Sequence, residues 1–132
     1  MSESPLLVAA AVIREGERVL IAKRSSRGAF PSLWEFPGGK IEDGESPEEA
    51  LLRELREELR IEIRVGRIYE VVFHRYDLFS VLLLFYECEI VDGPPTAVGC
   101  DLVRWVPRSA LSSYEFLPAD RAIVRRLAFE SE

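Results

Sequence analysis

All of the net negative charge of this chain lies in one 17-residue window, which also carries the clearest helix start in the sequence. Residues 42–58 contain eight acidic and two basic side chains, a balance of −6 that equals the net charge of all 132 residues. Within this window Ser46 can cap a helix, Pro47 suits the first helical position and Glu49 completes a capping box. We therefore predict a helix from Pro47 to about Arg60.

Three carboxylates of this predicted helix lie on one face. Glu54, Glu57 and Glu58 have the spacing i, i+3 and i+4, which brings them within about one turn of each other. A separate face carries the apolar residues Leu52, Leu55 and Leu59. A solvated acidic stripe is the usual explanation, but like charges at this spacing destabilise a helix by a few tenths of a kcal/mol per pair. Clustered oxygens, with the carbonyls of the preceding Gly-Gly turn, suit Mg²⁺ or Mn²⁺.

The rest of the chain predicts a mixed sheet packed by helices, which is an α+β fold. Runs rich in β-branched and aromatic residues predict strands at 6–14, 18–23, 61–65, 68–73, 79–90 and 102–106, and the apolar spacing of 118–129 predicts a closing helix. Residues 25–33 and 92–95 are predicted loops, 34–36 is a short apolar segment, and residues 37–39 are expected to break regular structure. The length favours a single domain over residues 1–132.

Composition excludes several classes of protein. The chain is 48% hydrophobic and 30% charged, which excludes a disordered, collagen-like or coiled-coil protein. Its longest early apolar stretch, residues 6–13, is far shorter than the ~20 residues that span a bilayer. Cys88 and Cys100 have no metal-ligand or redox spacing. We expect a cytoplasmic protein with no membrane contact and, since no strong basic patch is present, no nucleic acid polymer as partner.

The segment GGKIEDGESPEEALLRELREELRI resembles the Nudix box. Five residues separate Gly39 from Glu45, seven more lead to Arg53-Glu54-Leu55, and one residue precedes Glu57-Glu58. The segments LWEFPGGK, RWVP and FLPAD extend the similarity to the MutT-type nucleoside triphosphate pyrophosphatases over most of the chain. Two positions depart from the family: the box normally has glycine where this chain has Arg60, and Gly99 stands about where some relatives place an acidic metal ligand.

The resemblance implies a Nudix fold, an α/β/α sandwich with a mixed sheet and a catalytic loop-helix-loop. It also implies Mg²⁺-dependent (or Mn²⁺-dependent) hydrolysis of a nucleoside triphosphate to a monophosphate and pyrophosphate. The metal ligands would be the side chains of Glu54, Glu57 and Glu58 and the carbonyl of Gly38. Glu54 would activate the attacking water, with Glu57 as an alternative, and Arg53 would orient the carboxylates. Gly39 and Glu45 would be structural, and Arg24 and Lys40 are candidates for phosphate contact.

Asp120 and Phe36 are the candidates for contact with the base. The position of Asp120 is commonly asparagine in the 8-oxo-dGTP enzymes of the family, and an ionised carboxylate only accepts hydrogen bonds. It therefore suits the cytosine amino group or guanine N1–H and N2–H, as in the similar CTP pyrophosphohydrolases, unless it only stabilises its own helix. Other aromatic residues could form a stacking surface or belong to the core: Phe73, His74, Tyr76 and Phe79.

The substrate and the cellular role stay open at this stage. 8-oxo-dGTP, CTP and modified dCTP are candidates, and sanitation of the nucleotide pool is one possible role. Tyr76 lies about where dinucleoside polyphosphate hydrolases of the family carry a tyrosine, and a nucleotide-sugar hydrolase or a non-catalytic nucleotide-binding domain are further alternatives. We expect either a monomer or a homodimer.

Overall fold

A computed structural model describes residues 4–130, so the ends of the predicted domain lie outside the described residues. In chain order it contains β1 (Leu6–Glu15), β2 (Arg18–Lys23), β3 (Trp34–Glu35), β4 (Gly38–Lys40), α1 (Pro47–Leu59), β5 (Glu62–Arg75), β6 (Ser80–Asp92), β7 (Leu102–Pro107), 3₁₀ turns at Arg108–Ser113 and Pro118–Asp120, and α2 (Arg121–Phe129). No helix among residues 4–130 is long and apolar enough to cross a membrane.

Strand β1 organises a mixed sheet. It runs parallel to β6 and antiparallel to both β4 and the start of β2, and β6 pairs in turn with the antiparallel edge strand β5. Strand β2 continues away from β1 and pairs with β3 and β7. The predicted mixture of hairpins and a helical crossover is confirmed, because α1 lies on the connection from β4 to the β5–β6 hairpin.

Helices cover both faces of this sheet, as the predicted α/β/α sandwich requires. Successive residues of a strand point to opposite faces. Ala9, Ala11 and Ile13 pack with the leucines of α1, whereas Ala10 and Val12 pack with the apolar side of α2. The α1 leucines Leu51, Leu55 and Leu59 are fully buried, and burial of one such side chain stabilises a fold by about 1.5–3 kcal/mol.

Three predicted segments differ from the structure. The two strands expected at 61–65 and 68–73 are one strand, β5, with register shifts between Val65 and Ile68 and between Ile68 and Glu70. The expected break at 37–39 is wrong for its glycines, because Gly38–Lys40 form strand β4. The predicted helix at 118–129 begins as a 3₁₀ turn and becomes α-helical only at Arg121.

Helix α1 has the predicted ends. The Ser46 hydroxyl accepts a hydrogen bond from the Glu49 N–H at 3.1 Å, and the Glu49 carboxylate accepts one from the Ser46 N–H at 2.8 Å. Arg60 ends the helix in the left-handed region with φ 57° and ψ 40°, a conformation that glycine adopts at less cost. The helix end is therefore kept although its usual glycine is absent.

Candidate active site

A cleft of about 620 Å³ lies beside α1 and β4 and contains most of the predicted site residues. The residues lining it include these predicted ones: Arg24, Phe36, Gly38, Gly39, Lys40, Glu54, Glu58 and Asp120. Tyr76 and Phe79, which the sequence left open between a stacking surface and the core, also line it, as do Phe30 and Glu35, which the sequence did not single out. The cleft thus brings acidic, basic and aromatic side chains from distant parts of the chain into one site.

The glycines of β4 allow a very close approach of backbone and side chain. A Cβ on Gly38 would lie 2.1 Å from the Ala9 carbonyl oxygen, so only glycine permits this pairing of β4 with β1. A Cβ on Gly39 would lie 2.2 Å from Cδ of Glu54. The Glu54 carboxylate therefore rests directly on the backbone of β4, where it is only 14% exposed.

Glu54 and Glu58 form a pair of neighbouring carboxyl groups in the cleft. Burial raises the pKa of Glu58 to about 9, and a hydrogen bond with Glu54 and the Glu54 charge add to the shift. Two adjacent carboxylates are stable when they share a proton or a cation, and hard oxygens of this kind suit Mg²⁺, which typically takes one or two carboxylates plus substrate phosphates. The donor set thus fits such an ion, although no three His, Cys, Asp or Glu side chains within residues 4–130 converge as a complete metal site.

Glu57 lies apart from this pair. Its carboxylate is 60% exposed, accepts a hydrogen bond from Nη1 of Arg53 at 3.2 Å and does not line the cleft. The structure therefore brings two of the three predicted carboxylates together in the cleft and leaves the third at its margin.

Arg53 connects the acidic helix to the preceding loop. Its Nε and Nη2 donate to the two oxygens of Glu45 at 2.7 and 3.0 Å, and Nη1 donates to Glu54 at 3.1 Å. Nη2 also donates to the carbonyl of Lys40 at 3.0 Å. The hydrogen bonds from Arg53 lower the pKa of Glu45. A two-pronged guanidinium–carboxylate contact fixes direction as well as distance, so Arg53 restricts where the Glu54 carboxylate can point.

Glu35 is a partly buried acidic residue of the cleft that the sequence alone did not single out. Burial raises its pKa, and the positive charge of Arg24 and a hydrogen bond of 2.8 Å from Nη1 of Arg24 oppose this shift. Arg24 also donates from Nε to the carbonyl of Ala29 at 3.0 Å, so two of its nitrogens are occupied by the protein itself. One sequence feature could have indicated Glu35: it is a charged residue between two large aromatic residues, Trp34 and Phe36. Glu35 is the second residue of the two-residue strand β3.

Asp120 is buried, with 2% exposure, and is half satisfied by hydrogen bonds. Oδ2 accepts the N–H of Phe36 at 3.0 Å, while Oδ1 is buried without a partner among residues 4–130. Burial raises the pKa of Asp120 to about 8. Phe36 is 2% exposed, and its ring stacks on Phe116 at a centroid distance of 5.3 Å. The ring of Phe36 therefore packs in the core, while its backbone N–H binds Asp120.

The late loop reaches the end of α1 without contributing a carboxylate there. The Gly99 N–H donates to the carbonyl of Glu58 at 3.1 Å, and a Cβ on Gly99 would lie 3.0 Å from Cγ of Glu58. Gly99, which the sequence singled out because it has no acidic side chain, therefore lies next to Glu58. Asp101 accepts the N–H of Ser26 at 3.3 Å and so anchors another loop.

Comparison with known proteins agrees with this geometry. Residues 8–126 match the family model of the NUDIX domain. The chain is similar to the 8-oxo-dGTP diphosphatase of Haemophilus influenzae, with 33% identity over 99% of this chain and 97% of the relative. It is also similar to the CTP pyrophosphohydrolase of Escherichia coli, with 37% identity over 86% of this chain and 84% of the relative. The crystal structure of the MutT protein from Methanosarcina mazei Go1 superposes with a TM-score of 0.85 and 26% identity, over 96% of each chain.

Proposed function

This chain belongs to the NUDIX domain family, and from that membership we propose that it hydrolyses free nucleoside triphosphates to nucleoside monophosphates and pyrophosphate. The observation that carries the proposal is the pair of cleft carboxyl groups, Glu54 and Glu58, seated on the glycine backbone of β4. A triphosphate repels an attacking oxygen nucleophile, so the reaction needs positive charge around the phosphates and a base near the water.

Hydrolases of this family generally depend on a divalent metal ion, and we propose Mg²⁺ (Mn²⁺ as a substitute) for this chain. Glu54, Glu58 and the carbonyl of Gly38 would hold it, with Glu57 able to join from the margin of the cleft. When bound, the cation neutralises phosphate charge. Lys40 adds positive charge at the cleft, and Arg24 has one terminal nitrogen beyond its bonds to Glu35 and Ala29.

Glu54 is the proposed base of the reaction. It takes a proton from the water as the water oxygen attacks one of the two phosphorus atoms of the anhydride between the α- and β-phosphates, and that anhydride bond breaks to give the monophosphate and pyrophosphate. The hydrogen bond from Arg53 and the close contact with Gly39 hold the Glu54 carboxylate in position for this transfer. Glu57 is the alternative base, because Arg53 binds it as well.

Asp120 is proposed to read the base through Oδ1, since Oδ2 is already bound to the backbone N–H of Phe36. With its pKa raised to about 8, the carboxyl is mostly neutral at pH 7 and can donate as well as accept a hydrogen bond. A guanine edge, with O6 beside N1–H, and a cytosine edge, with N3 beside the N4 amino group, both match this pattern. We place 8-oxo-dGTP and dGTP ahead of CTP and modified dCTP because two relatives that align over more than nine-tenths of this chain are 8-oxo-dGTP diphosphatases.

The test is product analysis after incubation with Mg²⁺ and a panel of 8-oxo-dGTP, dGTP, CTP, dCTP, 5-methyl-dCTP, ADP-ribose and diadenosine tetraphosphate. We expect monophosphate and pyrophosphate from a guanine nucleotide, and loss of most turnover in Glu58→Gln with unchanged thermal unfolding. Turnover of Glu58→Gln at the wild-type rate would contradict the metal assignment. Turnover of diadenosine tetraphosphate alone would indicate a dinucleoside polyphosphate hydrolase instead. Nucleotide binding without product from any substrate would favour a binding domain.

A further inference from the structure

An aromatic wall borders the cleft on the side of Asp120. It consists of Phe30, Tyr76 and Phe79, whose ring centroids lie 4.7 Å (Phe30 to Tyr76) and 5.2 Å (Tyr76 to Phe79) apart. All three residues line the cleft. The Tyr76 hydroxyl accepts the N–H of Ala119 at 3.3 Å, which fixes the wall beside the residue that precedes Asp120.

Phe30 and Phe79 differ from Tyr76 in how their rings are placed. Tyr76 packs against the core, whereas Phe30 and Phe79 belong to neither core cluster of residues 4–130. Phe79 lies next to the first residue of β6, and Phe30 comes from the loop 25–33. The Phe30 ring is only partly buried and borders the open volume of the cleft. A large aromatic ring held at a cleft wall but outside the core is available to a ligand.

The backbone of this loop is held in an unusual conformation that presents the ring. Phe30 has φ 50° and Ser32 has φ 65°, both in the left-handed region that side-chain-bearing residues rarely adopt. Such conformations persist where the surroundings enforce them and are frequent at ligand sites. Here the carbonyl of Ala29 accepts a hydrogen bond from Arg24 at 3.0 Å, and the carbonyl of Leu33 accepts one from the Arg24 N–H at 2.9 Å.

We propose that Phe30 is the residue on which the base of the nucleotide stacks, and that loop 25–33 thereby selects the substrate. The inference rests on the proposed function for the nature of the ligand. Phe36 also lines the cleft but is only 2% exposed, so we assign the stacking role to the partly buried ring of Phe30. With Phe30 against the face of the base and Oδ1 of Asp120 at its edge, the two residues would define both orientation and identity of the base.

The experiment measures binding of dGMP and dCMP, and of tripolyphosphate as a probe that has no base, to wild type, Phe30→Ala, Phe30→Tyr and the control Leu78→Ala. Leu78 is apolar, 90% exposed and does not line the cleft. Loss of an aromatic stacking partner should weaken monophosphate binding and raise KM roughly 5- to 150-fold. Tripolyphosphate affinity and kcat should stay within about threefold of wild type, because the phosphate contacts are unchanged. Phe30→Tyr should restore binding, and Leu78→Ala should have no effect.

Two results would overturn the stacking role. One is a Phe30→Ala protein that binds the favoured monophosphate as tightly as wild type does. The other is an equal loss of monophosphate and tripolyphosphate affinity, which would indicate a structural role for Phe30. A wild-type protein that binds monophosphates but forms no product from any triphosphate would refute the proposed function. The binding comparison of the Phe30 variants would still test the stacking role. A wild-type protein that binds neither nucleotide but forms product would refute the stacking role alone, and one that neither binds a nucleotide nor forms product would refute both.

Discussion

Substituting Gly39 by alanine should disable the site while leaving the fold intact. The added Cβ would lie 2.2 Å from Cδ of Glu54 and 2.4 and 2.5 Å from its two carboxylate oxygens. Carbon atoms in contact prefer about 3.5–4.0 Å, so the carboxyl group must move by roughly 1.3 Å or more. A displacement of about 1 Å can cost 10²-fold in rate, and we therefore expect kcat/KM to fall roughly 10²-fold, or about 2.7 kcal/mol of transition-state stabilisation.

The stability of Gly39→Ala should change little, because the obstructing atoms are the far end of a flexible side chain. Gly38→Ala is the matched contrast: its Cβ would meet the Ala9 carbonyl oxygen at 2.1 Å and Ala10 Cα at 2.7 Å, which are backbone atoms. Overpacking there should lower the free energy of unfolding by about 1–3 kcal/mol. Gly28→Ala, with nothing within 4 Å of its Cβ, serves as the neutral control for stability.

Steady-state kinetics with the substrate found in the panel, and urea unfolding, measure the two effects separately. Our reasoning predicts that Gly39→Ala loses activity and keeps stability, and that Gly38→Ala loses stability. If Gly39→Ala keeps kcat/KM within about threefold of wild type, the position of the Glu54 carboxylate does not limit the reaction and our assignment of Glu54 is refuted.

Further predictions concern three other positions. Folding raises the pKa of Asp120 from 3.8 to about 8, so the folded protein binds this proton more tightly and loses stability as pH rises through that window. Asp120→Asn should therefore gain stability relative to wild type from about pH 4 to pH 8 in thermal unfolding, and a constant difference would contradict this. Arg60→Gly relieves the left-handed helix end and should raise Tm by roughly 2–4 °C; a lower Tm would show that Arg60 makes a compensating contact. The lysine of Arg53→Lys cannot form the two-pronged contact with Glu45, so kcat should fall by roughly 10-fold or more. The free energy of unfolding should stay within about 1 kcal/mol of wild type.

The acidic helix could be predicted from the sequence because its determinants are local. Ser46, Pro47 and Glu49 specify the start within one turn, and the spacing of Glu54 and Glu58 places them on one face without knowledge of any other element. Even the end at Arg60 follows, since buried leucines on the opposite face hold the last turn although glycine is absent. Local signals of this kind survive in a single sequence.

Strand β4 could not be predicted in the same way. Two consecutive glycines in a three-residue strand have low intrinsic preference for extended structure, and Gly38 and Gly39 are used here for the space that they leave. One opens room for the backbone of β1 and the other for the Glu54 carboxylate. Both needs arise from residues far away in sequence, so they become visible only in the folded chain.

The same distinction separates the chemistry of the site from its selectivity. The carboxylates that would act on phosphate lie on one helix and follow from spacing, whereas the groups that would act on the base come from a loop, a hairpin and a 3₁₀ turn. Phe30 lines the cleft on a loop in which two residues take left-handed backbone angles, and Asp120 gains its unusual proton affinity from burial, to which the charge of Glu35 adds. Neither condition leaves a pattern in the sequence. Relatives can therefore share the acidic helix and still differ in the base that they select, and variants at Phe30 and Asp120 should change substrate preference at positions where the box itself is untouched.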